Sequence, residues 1–163
     1  MSQNHLFVIM GVSGTGKTTI GQLLAEKLHI SFYDGDDFHS AANIAKMSSG
    51  QPLNDNDRYG WLVALNNLLK SKSQVGAVLA CSALKEAYRA ILSKGLENLH
   101  FIFLDGKHDE IKSRLENRKG HYMSSALLQS QLDTLEIPKD AIKVNIESSP
   151  NEIIKEVLEQ IQS

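Results

Sequence analysis

Short apolar runs alternate with segments of helical periodicity along this chain. Five runs have the length and composition of buried strands, and they lie at residues 6–10, 30–33, 77–81, 100–104 and 142–146. Each gap between them contains apolar residues that recur at the spacing of a helix face. Continuous apolar strands that alternate with helices are typical of a parallel sheet covered on both faces. The pattern predicts an α/β fold of three layers, with a five-stranded parallel sheet flanked by helices.

Two of the helices are predicted in more detail. Asn54 is a good N-cap, and acidic residues follow it in the first turn of the segment. A last helix is expected to follow Pro150. The residues predicted to face inward are Trp61, Leu62, Leu65, Leu68 and Leu69 in the first helix and Ile153, Ile154, Val157, Leu158 and Ile161 in the last.

A glycine-rich loop directly follows the first apolar run. Residues 11–18 match the phosphate-binding pattern GxxxxGK[ST] at every required position. Such a loop turns backbone N–H groups toward an anionic polyphosphate, and the N-terminus of the next helix adds its partial positive charge. We expect Lys17 to reach the β- and γ-phosphates of a nucleoside triphosphate and the Thr18 hydroxyl to bind Mg²⁺. The predicted nucleotide-binding residues here are Gly11, Val12, Ser13, Gly14, Thr15, Gly16, Lys17, Thr18 and Thr19.

Two more polar stretches interrupt the alternation of strands and helices. They span about 35–54 and about 117–138. Transfer of a phosphoryl group to an alcohol must exclude water, and small kinases achieve this by closing segments over their substrates. We interpret the first stretch as an acceptor-binding insert and the second as a lid, within a single domain of residues 1–163.

Two aspartates follow the second predicted strand, at the sheet edge where ligands bind in open α/β folds. In an extended chain Asp34 and Asp36 would project to one side, and Gly35 would let the backbone approach a ligand. We assign Asp34 to the metal, together with Thr18, and Asp36 to the proton of the attacking hydroxyl. An aspartate-rich turn that caps the next helix is the alternative. Asp105, at the end of the fourth run, is a rival metal ligand.

Two arginines follow the fourth strand at helical spacing. Arg114 and Arg118 are four residues apart, so they share one helix face where the predicted lid begins. The planar guanidinium of Arg118 could stabilise charge that develops on the transferred phosphoryl group. We place Arg114 against the adenine or the outer phosphates. For either arginine, a solvated position on a helix surface is the alternative.

A second basic group lies nearer the predicted acceptor pocket. Lys85 follows the third strand, and Arg89 lies four residues later, so one helix face could present both to a carboxylate. Arg58 is the third member. Together they suggest an anionic acceptor, with a plain surface role as the alternative for each.

Composition narrows the range of partners. The 163 residues carry a net charge of −2, which favours neither nucleic acid nor an anionic membrane as a partner. The apolar runs are too short to span a bilayer and no secretory leader is evident, so we expect a cytoplasmic protein. Cys81 is the single cysteine, and its apolar surroundings predict a packed side chain rather than a nucleophile.

Several longer motifs occur together and in order, and with them the chain resembles the gluconokinase family. They are Asp34-Gly35-Asp36, His39 with Asn43-Ile44-Ala45-Lys46-Met47, residues 50–58, Cys81-Ser82-Ala83-Leu84-Lys85 and Arg118-Lys119-Gly120-His121. The resemblance extends from the glycine loop to Pro138. Two departures are Ser40, where the family usually has proline, and Tyr59-Gly60 before Trp61.

The resemblance implies a fold similar to shikimate kinase and the nucleoside monophosphate kinases. It implies that ATP with Mg²⁺ donates its γ-phosphoryl group to the 6-hydroxyl of D-gluconate, commonly in a homodimer. It supports the roles given above to Lys17, Thr18, Asp34, Asp36 and Arg118. It also nominates His39, Lys46, Arg58, Lys85 and His121 as acceptor-side residues.

Two other functions are considered. A kinase of the same fold could act on shikimate, another small acid or a nucleotide. A GTPase-like switch is suggested only by Asp57-Arg58-Tyr59-Gly60, which matches the pattern DxxG. That match lies inside a predicted helix, and the sequence contains no Asn-Lys-x-Asp motif for guanine.

Overall fold

The central feature of the fold is a five-stranded parallel sheet. The computed structural model describes residues 5–116 and 125–162 of the chain. The strands lie side by side in the order β2-β3-β1-β4-β5, and every neighbouring pair is parallel. Their bounds are β1 Leu6–Met10, β2 Ser31–Asp34, β3 Ala77–Ala80, β4 Leu99–Asp105 and β5 Ile142–Asn145.

Helices connect the strands and cover both faces of the sheet. Within the described residues they are α1 Lys17–Leu28, α2 Ala41–Ser48, α3 Asp55–Ser71, α4 Glu86–Ser93, α5 His108–Glu116, α6 Ser125–Thr134 and α7 Pro150–Gln162, with a 3₁₀ helix at Gly35–Phe38. The predicted α/β architecture is confirmed, and each predicted strand lies within one or two residues of an observed one. None of the helices described combines the length and the apolar composition required to cross a membrane.

Strand β1 is buried on both faces, and its side chains alternate between two cores. Phe7 and Ile9 pack with residues of α1 and α7, whereas Leu6, Val8 and Met10 pack with residues of α3 and α4. All five side chains are at most 1% exposed. Burial on both faces explains why β1 is a continuous apolar run rather than an alternating one.

The two helices predicted in detail are confirmed. Helix α3 begins with a capping box, in which the Asn54 side chain accepts from the Asp57 N–H at 2.8 Å and the Asp57 carboxylate accepts from the Asn54 N–H at 2.9 Å. Pro150 is the first residue of α7, where its missing N–H costs nothing. The buried inward residues are Trp61, Leu62, Leu65, Leu69, Ile153, Ile154 and Val157, and Leu68, Leu158 and Ile161 are partly buried.

The order of the strands creates a crevice at the carboxyl edge of the sheet. From β1 the chain passes to β2 and β3 on one side and later to β4 and β5 on the other, so the order reverses beside β1. Ligands of open α/β sheets bind at such a reversal. The Gly11 N–H donates to the Ser82 carbonyl at 3.3 Å, which joins the loops that follow β1 and β3.

A tight backbone contact closes the end of β2 onto β3. A Cβ atom added at Gly35 would lie 2.8 Å from the Ala80 carbonyl oxygen, and the Trp61 Nε1–H donates to the Gly35 carbonyl at 2.7 Å. The packing of the protein itself is thus sufficient reason for a glycine here, and the close approach of Gly35 to a ligand stays a prediction. The glycine is required because β3 and α3 pack against it.

We predict that Gly35→Ala lowers the free energy of unfolding by about 2 kcal/mol, because backbone rather than a flexible side chain must move. Gly60→Ala is the matched control, since a Cβ atom at that helical position meets no atom within 4 Å. It should raise the free energy of unfolding by about 0.5–1 kcal/mol. Urea denaturation measures both, and equal changes in the two variants would contradict the packing argument.

Candidate active site

The glycine loop turns between β1 and α1 in a conformation that requires glycine. Gly11, Gly14 and Gly16 have φ values of 148°, 87° and 93°, in the region that side chains rarely adopt. The Thr15 hydroxyl, which is 2% exposed, donates to the Val12 carbonyl at 2.8 Å and fixes the turn from inside. The shape of the loop is therefore supported by its own glycines and by this internal hydrogen bond.

Lys17 lies over this loop. Its Nζ donates to the Gly11 carbonyl at 3.0 Å and to the Val12 carbonyl at 3.1 Å. The ammonium group is thus at the phosphate-binding loop, where a polyphosphate would offer it stronger, charge-assisted acceptors. Thr18 lies in the first turn of α1, and Thr19 beside it is exposed.

The two predicted acidic residues lie close together, but not in the way the sequence suggested. The backbone does not continue extended through Asp36, because β2 ends at Asp34 and a 3₁₀ helix begins at Gly35. Asp34 caps that helix, and its Oδ1 accepts from the Asp36 N–H at 3.0 Å. The predicted period-two arrangement is therefore wrong, although the turn still places both carboxyl groups at the end of β2.

The electrostatics of Asp36 connect the acidic pair to the phosphate loop. Partial removal from water raises the pKa of the Asp36 carboxyl, and the neighbouring Asp34 raises it further, whereas Lys17 and His39 oppose the rise. The Asp36 side chain is nevertheless 85% exposed, so its oxygens lie in an open cleft that a ligand can enter. Lys17, Asp34 and Asp36 therefore share one cleft.

His39 forms the next layer of this cleft. Its ring stacks on Trp61 with centroids 4.2 Å apart, and its side chain is 5% exposed. Nδ1 lies 3.4 Å from the Asn43 amide nitrogen, and Nε2 lies 4.0 Å from the Asp36 carboxylate. Burial lowers the pKa of His39 despite Asp36, which favours a neutral ring at pH 7.

A tyrosine links the predicted basic residues of the acceptor side. The Tyr88 hydroxyl donates to the Asp55 carboxylate at 2.5 Å and accepts from Arg58 Nη1 at 3.2 Å. Lys85 Nζ lies 3.4 Å from the same Asp55 carboxylate, and both cations lie 5.5 Å from the centroid of the Tyr88 ring. The structure thus brings Arg58 and Lys85 together, as the sequence predicted, around a tyrosine that the sequence analysis did not single out.

Lys46 connects the acceptor-binding insert to α3. Its Nζ pairs with the Asp57 carboxylate at 2.5 Å, and the Asn43 amide donates to the Asp57 carbonyl at 2.9 Å. The lysine lowers the pKa of Asp57 through this hydrogen bond. Asp57 is therefore engaged by Lys46 and by the capping box, inside helix α3 as predicted, rather than in a switch loop.

Arg89 has a different position from the one predicted. It does not present its guanidinium beside Lys85, because it is 8% exposed and donates to the Ala83 carbonyl at 2.7 Å and to the Glu136 carbonyl at 2.8 Å. Ala83 has a positive φ of 46°, which is uncommon for alanine. Arg89 thus holds the loop after β3, and the four-residue spacing misidentified which way its side chain points.

Two further contacts reach the glycine loop from the other side. Arg114 donates to the Ile146 carbonyl and pairs with Glu110 at 3.3 Å, and its Nη1 lies 3.9 Å from the position of a Cβ atom at Gly16. Gln131 of α6 accepts from the Ser13 N–H at 2.8 Å. The predicted residues Arg118 and His121 lie outside the described residues.

The two residues predicted to bind Mg²⁺ are both oxygen donors. Thr18 offers a hydroxyl and Asp34 a carboxylate, and Mg²⁺ prefers oxygen ligands while it retains several waters. Asp105, the rival candidate, ends β4 with an exposed side chain. The residue types of Thr18 and Asp34 fit this ion, and their binding of it stays a prediction.

Cys81 behaves as predicted for a packed side chain. It is 3% exposed, and burial raises the pKa of its thiol to about 12. The thiol is therefore neutral and forms part of the core beneath the cleft.

We predict that Arg89→Met lowers the free energy of unfolding by about 3 kcal/mol, because two backbone carbonyls lose a charged donor. Lys112→Met, on the exposed surface of α5, is the control and should change it by less than about 0.5 kcal/mol. Urea denaturation gives both values. Wild-type stability in Arg89→Met, combined with a raised KM for the acceptor, would restore the binding role that the spacing suggested.

Comparison with known proteins identifies the family to which the chain belongs. The family model described as shikimate kinase matches residues 13–162. The chain is 42% identical over 165 residues to the thermoresistant gluconokinase of Escherichia coli (strain K12), which covers 98% of this chain and 94% of the relative. It is 46% identical over 161 residues to the thermosensitive gluconokinase of the same strain, covering 94% of this chain and 83% of the relative.

A solved structure shows the same likeness in three dimensions. The crystal structure of a gluconokinase from Sinorhizobium meliloti 1021 has a TM-score of 0.90 and 39% sequence identity, and the match covers 99% of this chain and 94% of that one. Each of these matches to a gluconokinase covers at least 94% of this chain. The chain therefore belongs to the gluconokinase family.

Proposed function

We propose that this protein transfers the γ-phosphoryl group of ATP to the 6-hydroxyl of D-gluconate and so acts as a gluconokinase. The relatives that carry this name support the proposal. The structural observation that supports it most is the proximity of Asp36 to groups from both halves of the proposed site. His39 Nε2 lies 4.0 Å from the Asp36 carboxylate, Lys17 of the phosphate loop acts electrostatically on Asp36, and Arg58 acts electrostatically on His39.

The donor half of the proposed site is the glycine loop. Its N–H groups and the start of α1 bind the phosphates, and Lys17 exchanges its two loop carbonyls for phosphate oxygens. Thr18 and Asp34 would hold Mg²⁺, which screens phosphate charge when bound. Arg114, beside Gly16, is placed to act on the phosphates or the adenine, and the role of Arg118 in stabilising developing charge rests on the family resemblance.

The acceptor half must hold a carboxylate and free a hydroxyl for attack. Asp36 accepts the proton of the 6-hydroxyl as the oxygen attacks the γ-phosphorus and the bond to the β-phosphate oxygen breaks. Neutral His39 stands beside Asp36 without removing its charge. Its stacking on Trp61 sets the orientation of the ring.

The carboxylate of the acceptor would bind at the cluster of Arg58, Lys85 and Tyr88. The Asp55 carboxylate contacts this cluster and accepts from the tyrosine. A bound acid would therefore share cations that already have an anionic neighbour. Lys46 and His121 remain proposed acceptor residues. Lys46 pairs with the Asp57 carboxylate, so we propose that its effect on the acceptor depends on that pair.

We also propose that the enzyme works in the cytoplasm, where ATP and Mg²⁺ are available, and that it forms a homodimer as the resemblance implies. Light scattering coupled to size exclusion would report the dimer as twice the chain mass. A single species at the chain mass across micromolar concentrations would reject it.

A coupled assay of ADP release over a panel of acceptors tests the function. D-Gluconate should raise ADP release by at least about a hundredfold over the water background, whereas shikimate and nucleoside monophosphates should not. Shikimate belongs in the panel because the family model carries its name. ADP release with shikimate or a nucleotide, but not with gluconate, would reject the proposal.

We predict that Asp36→Asn lowers kcat by at least about a hundredfold and changes ATP affinity little, because the amide cannot accept the hydroxyl proton. In the wild type the raised pKa of Asp36 places the acid limb of kcat/KM above the usual range of an aspartate. Activity is present when Asp36 is ionised, so it falls as the pH falls through that raised pKa. The variant should lack this limb.

Asp37→Asn is the matched control, because Asp37 is exposed and neighbours Asp36 in the same 3₁₀ helix. It should keep the turnover and the acid limb, with the midpoint moved slightly down since Asp37 raises the pKa of Asp36. If the fall of kcat/KM at low pH arises instead from the carboxyl group of the acceptor, it would persist in the wild type and in both variants. Near-normal turnover in Asp36→Asn would remove Asp36 as the base.

A further inference from the structure

The side chain of Gln131, in helix α6, reaches the phosphate loop. Its Oε1 accepts from the Ser13 N–H at 2.8 Å, and its Nε2 lies 3.3 Å from the Ser13 hydroxyl. The two residues are 118 positions apart in the chain. Ser13 is the third residue of GxxxxGK[ST], so its N–H belongs to the loop whose donors receive phosphate oxygens.

The carboxamide oxygen of Gln131 occupies a donor that the polyphosphate can use. A neutral amide oxygen is a weaker acceptor than a phosphate oxygen, because charge-assisted hydrogen bonds are about twice as strong as neutral ones. The carboxamide of Gln131 therefore satisfies the Ser13 N–H, and a phosphate oxygen of a bound triphosphate can replace it as the acceptor.

The chain just after α6, five residues beyond Gln131, is fixed to the loop that carries Lys85. The Glu136 N–H donates to the Leu84 carbonyl at 2.8 Å, and the Glu136 carboxylate accepts from the Glu86 N–H at 2.7 Å. Arg89 donates to the Glu136 carbonyl from below. Leu128, three residues before Gln131 in α6, is 1% exposed and anchors the helix in the core.

We propose that Gln131 is a positioning residue that holds the phosphate loop in the absence of ligand, is displaced from Ser13 by the polyphosphate of the nucleotide, and transmits occupancy of the loop through α6 to the segment around Lys85. The proposal deepens the proposed function, since it links the donor half of the site to the acceptor half. Its core, competition for one N–H group, requires only that the loop binds a nucleotide.

Two substitutions with opposite expected effects test the competition. Gln131→Met keeps the length of the side chain and removes both hydrogen bonds, so a nonhydrolysable ATP analogue with Mg²⁺ should bind about threefold more tightly or more. Gln131→Glu replaces the neutral acceptor with a carboxylate that binds Ser13 more strongly and repels phosphate, so the same analogue should bind at least about tenfold more weakly. Isothermal titration calorimetry measures both dissociation constants.

Gln129→Met is the matched control on the same helix. Gln129 is exposed and donates to Asp133 within α6 at 2.8 Å, away from the loop, so its replacement should leave the dissociation constant unchanged. A merely structural role for Gln131 would weaken binding in both of its variants, together with a lowered melting temperature. Weaker binding in Gln131→Met, or unchanged binding in both variants, overturns the proposal.

Hydrogen exchange tests the transmission along α6. In the wild type the ATP analogue should change the exchange rate of the Glu86 amide, which donates to Glu136, by at least about threefold. In Gln131→Met that change should disappear while nucleotide binding persists. An unchanged Glu86 rate in the wild type, or the same response in the variant, contradicts transmission.

These measurements contain nucleotide but no gluconate. Failure of the acceptor assay would reject the proposed substrate and leave the result on Gln131 standing. Conversely, normal ADP release with gluconate, combined with changes in nucleotide affinity that are not opposite in Gln131→Met and Gln131→Glu, would reject the role of Gln131 and leave the proposed substrate standing. The two proposals are therefore separable.

Discussion

The parallel pairing of β1 with both β3 and β4 is the constraint on which the rest of the structure depends. Since both neighbours run in the same direction as β1, the loops that follow all three strands emerge at one edge. The register places Ile9 opposite Ala80, so the glycine loop and the loop after β3 begin at the same height. That edge holds the phosphate loop, the acidic pair and the acceptor-side loop because the hydrogen bonds of the sheet leave them no other place.

Charge is balanced locally around the cleft. The acceptor-side cations each have an acidic partner, with Lys46 on Asp57, and Lys85 and Arg58 near Asp55. Exposed pairs of this kind add little stability, typically less than about 1 kcal/mol each. Their effect is on geometry, since long side chains that already have partners lose less conformational freedom when a ligand arrives.

The features predictable from the sequence are those determined by neighbours in the chain. The glycine loop, the capping box at Asn54 and the strands could be recognised because each depends on a few consecutive residues or on one period. The arrangement of Asp34 and Asp36 was missed because the extended backbone ends at Asp34, two residues before Asp36, where the Asp34 side chain accepts from the Asp36 N–H. The spacing identified the two aspartates. It could not show that the backbone turns between them, because that turn depends on the hydrogen bond from the Asp36 N–H to the Asp34 side chain.

Tertiary contacts account for the other differences. The spacing of Lys85 and Arg89 places both on one helix face, but it does not say whether that face meets solvent or core. Arg89 meets the core because two carbonyls, at Ala83 and Glu136, lie within its reach. Tyr88, between the two cations in sequence, could have been suspected as a polar aromatic residue on the same helix. Gln131 carried no such signal, because its partner is 118 positions away.

The loop after β3 shows why the two halves of the cleft are mechanically related. Ala83 adopts a left-handed conformation that alanine enters at a cost of roughly 1 kcal/mol, so something outside the loop must hold it. Arg89 and the end of α6 supply that support, and α6 also touches the phosphate loop. A change in the position of α6 therefore alters the contacts that support this strained turn, and the turn carries Lys85. A relaxed turn would not depend on those contacts and would absorb the same displacement without moving its neighbours.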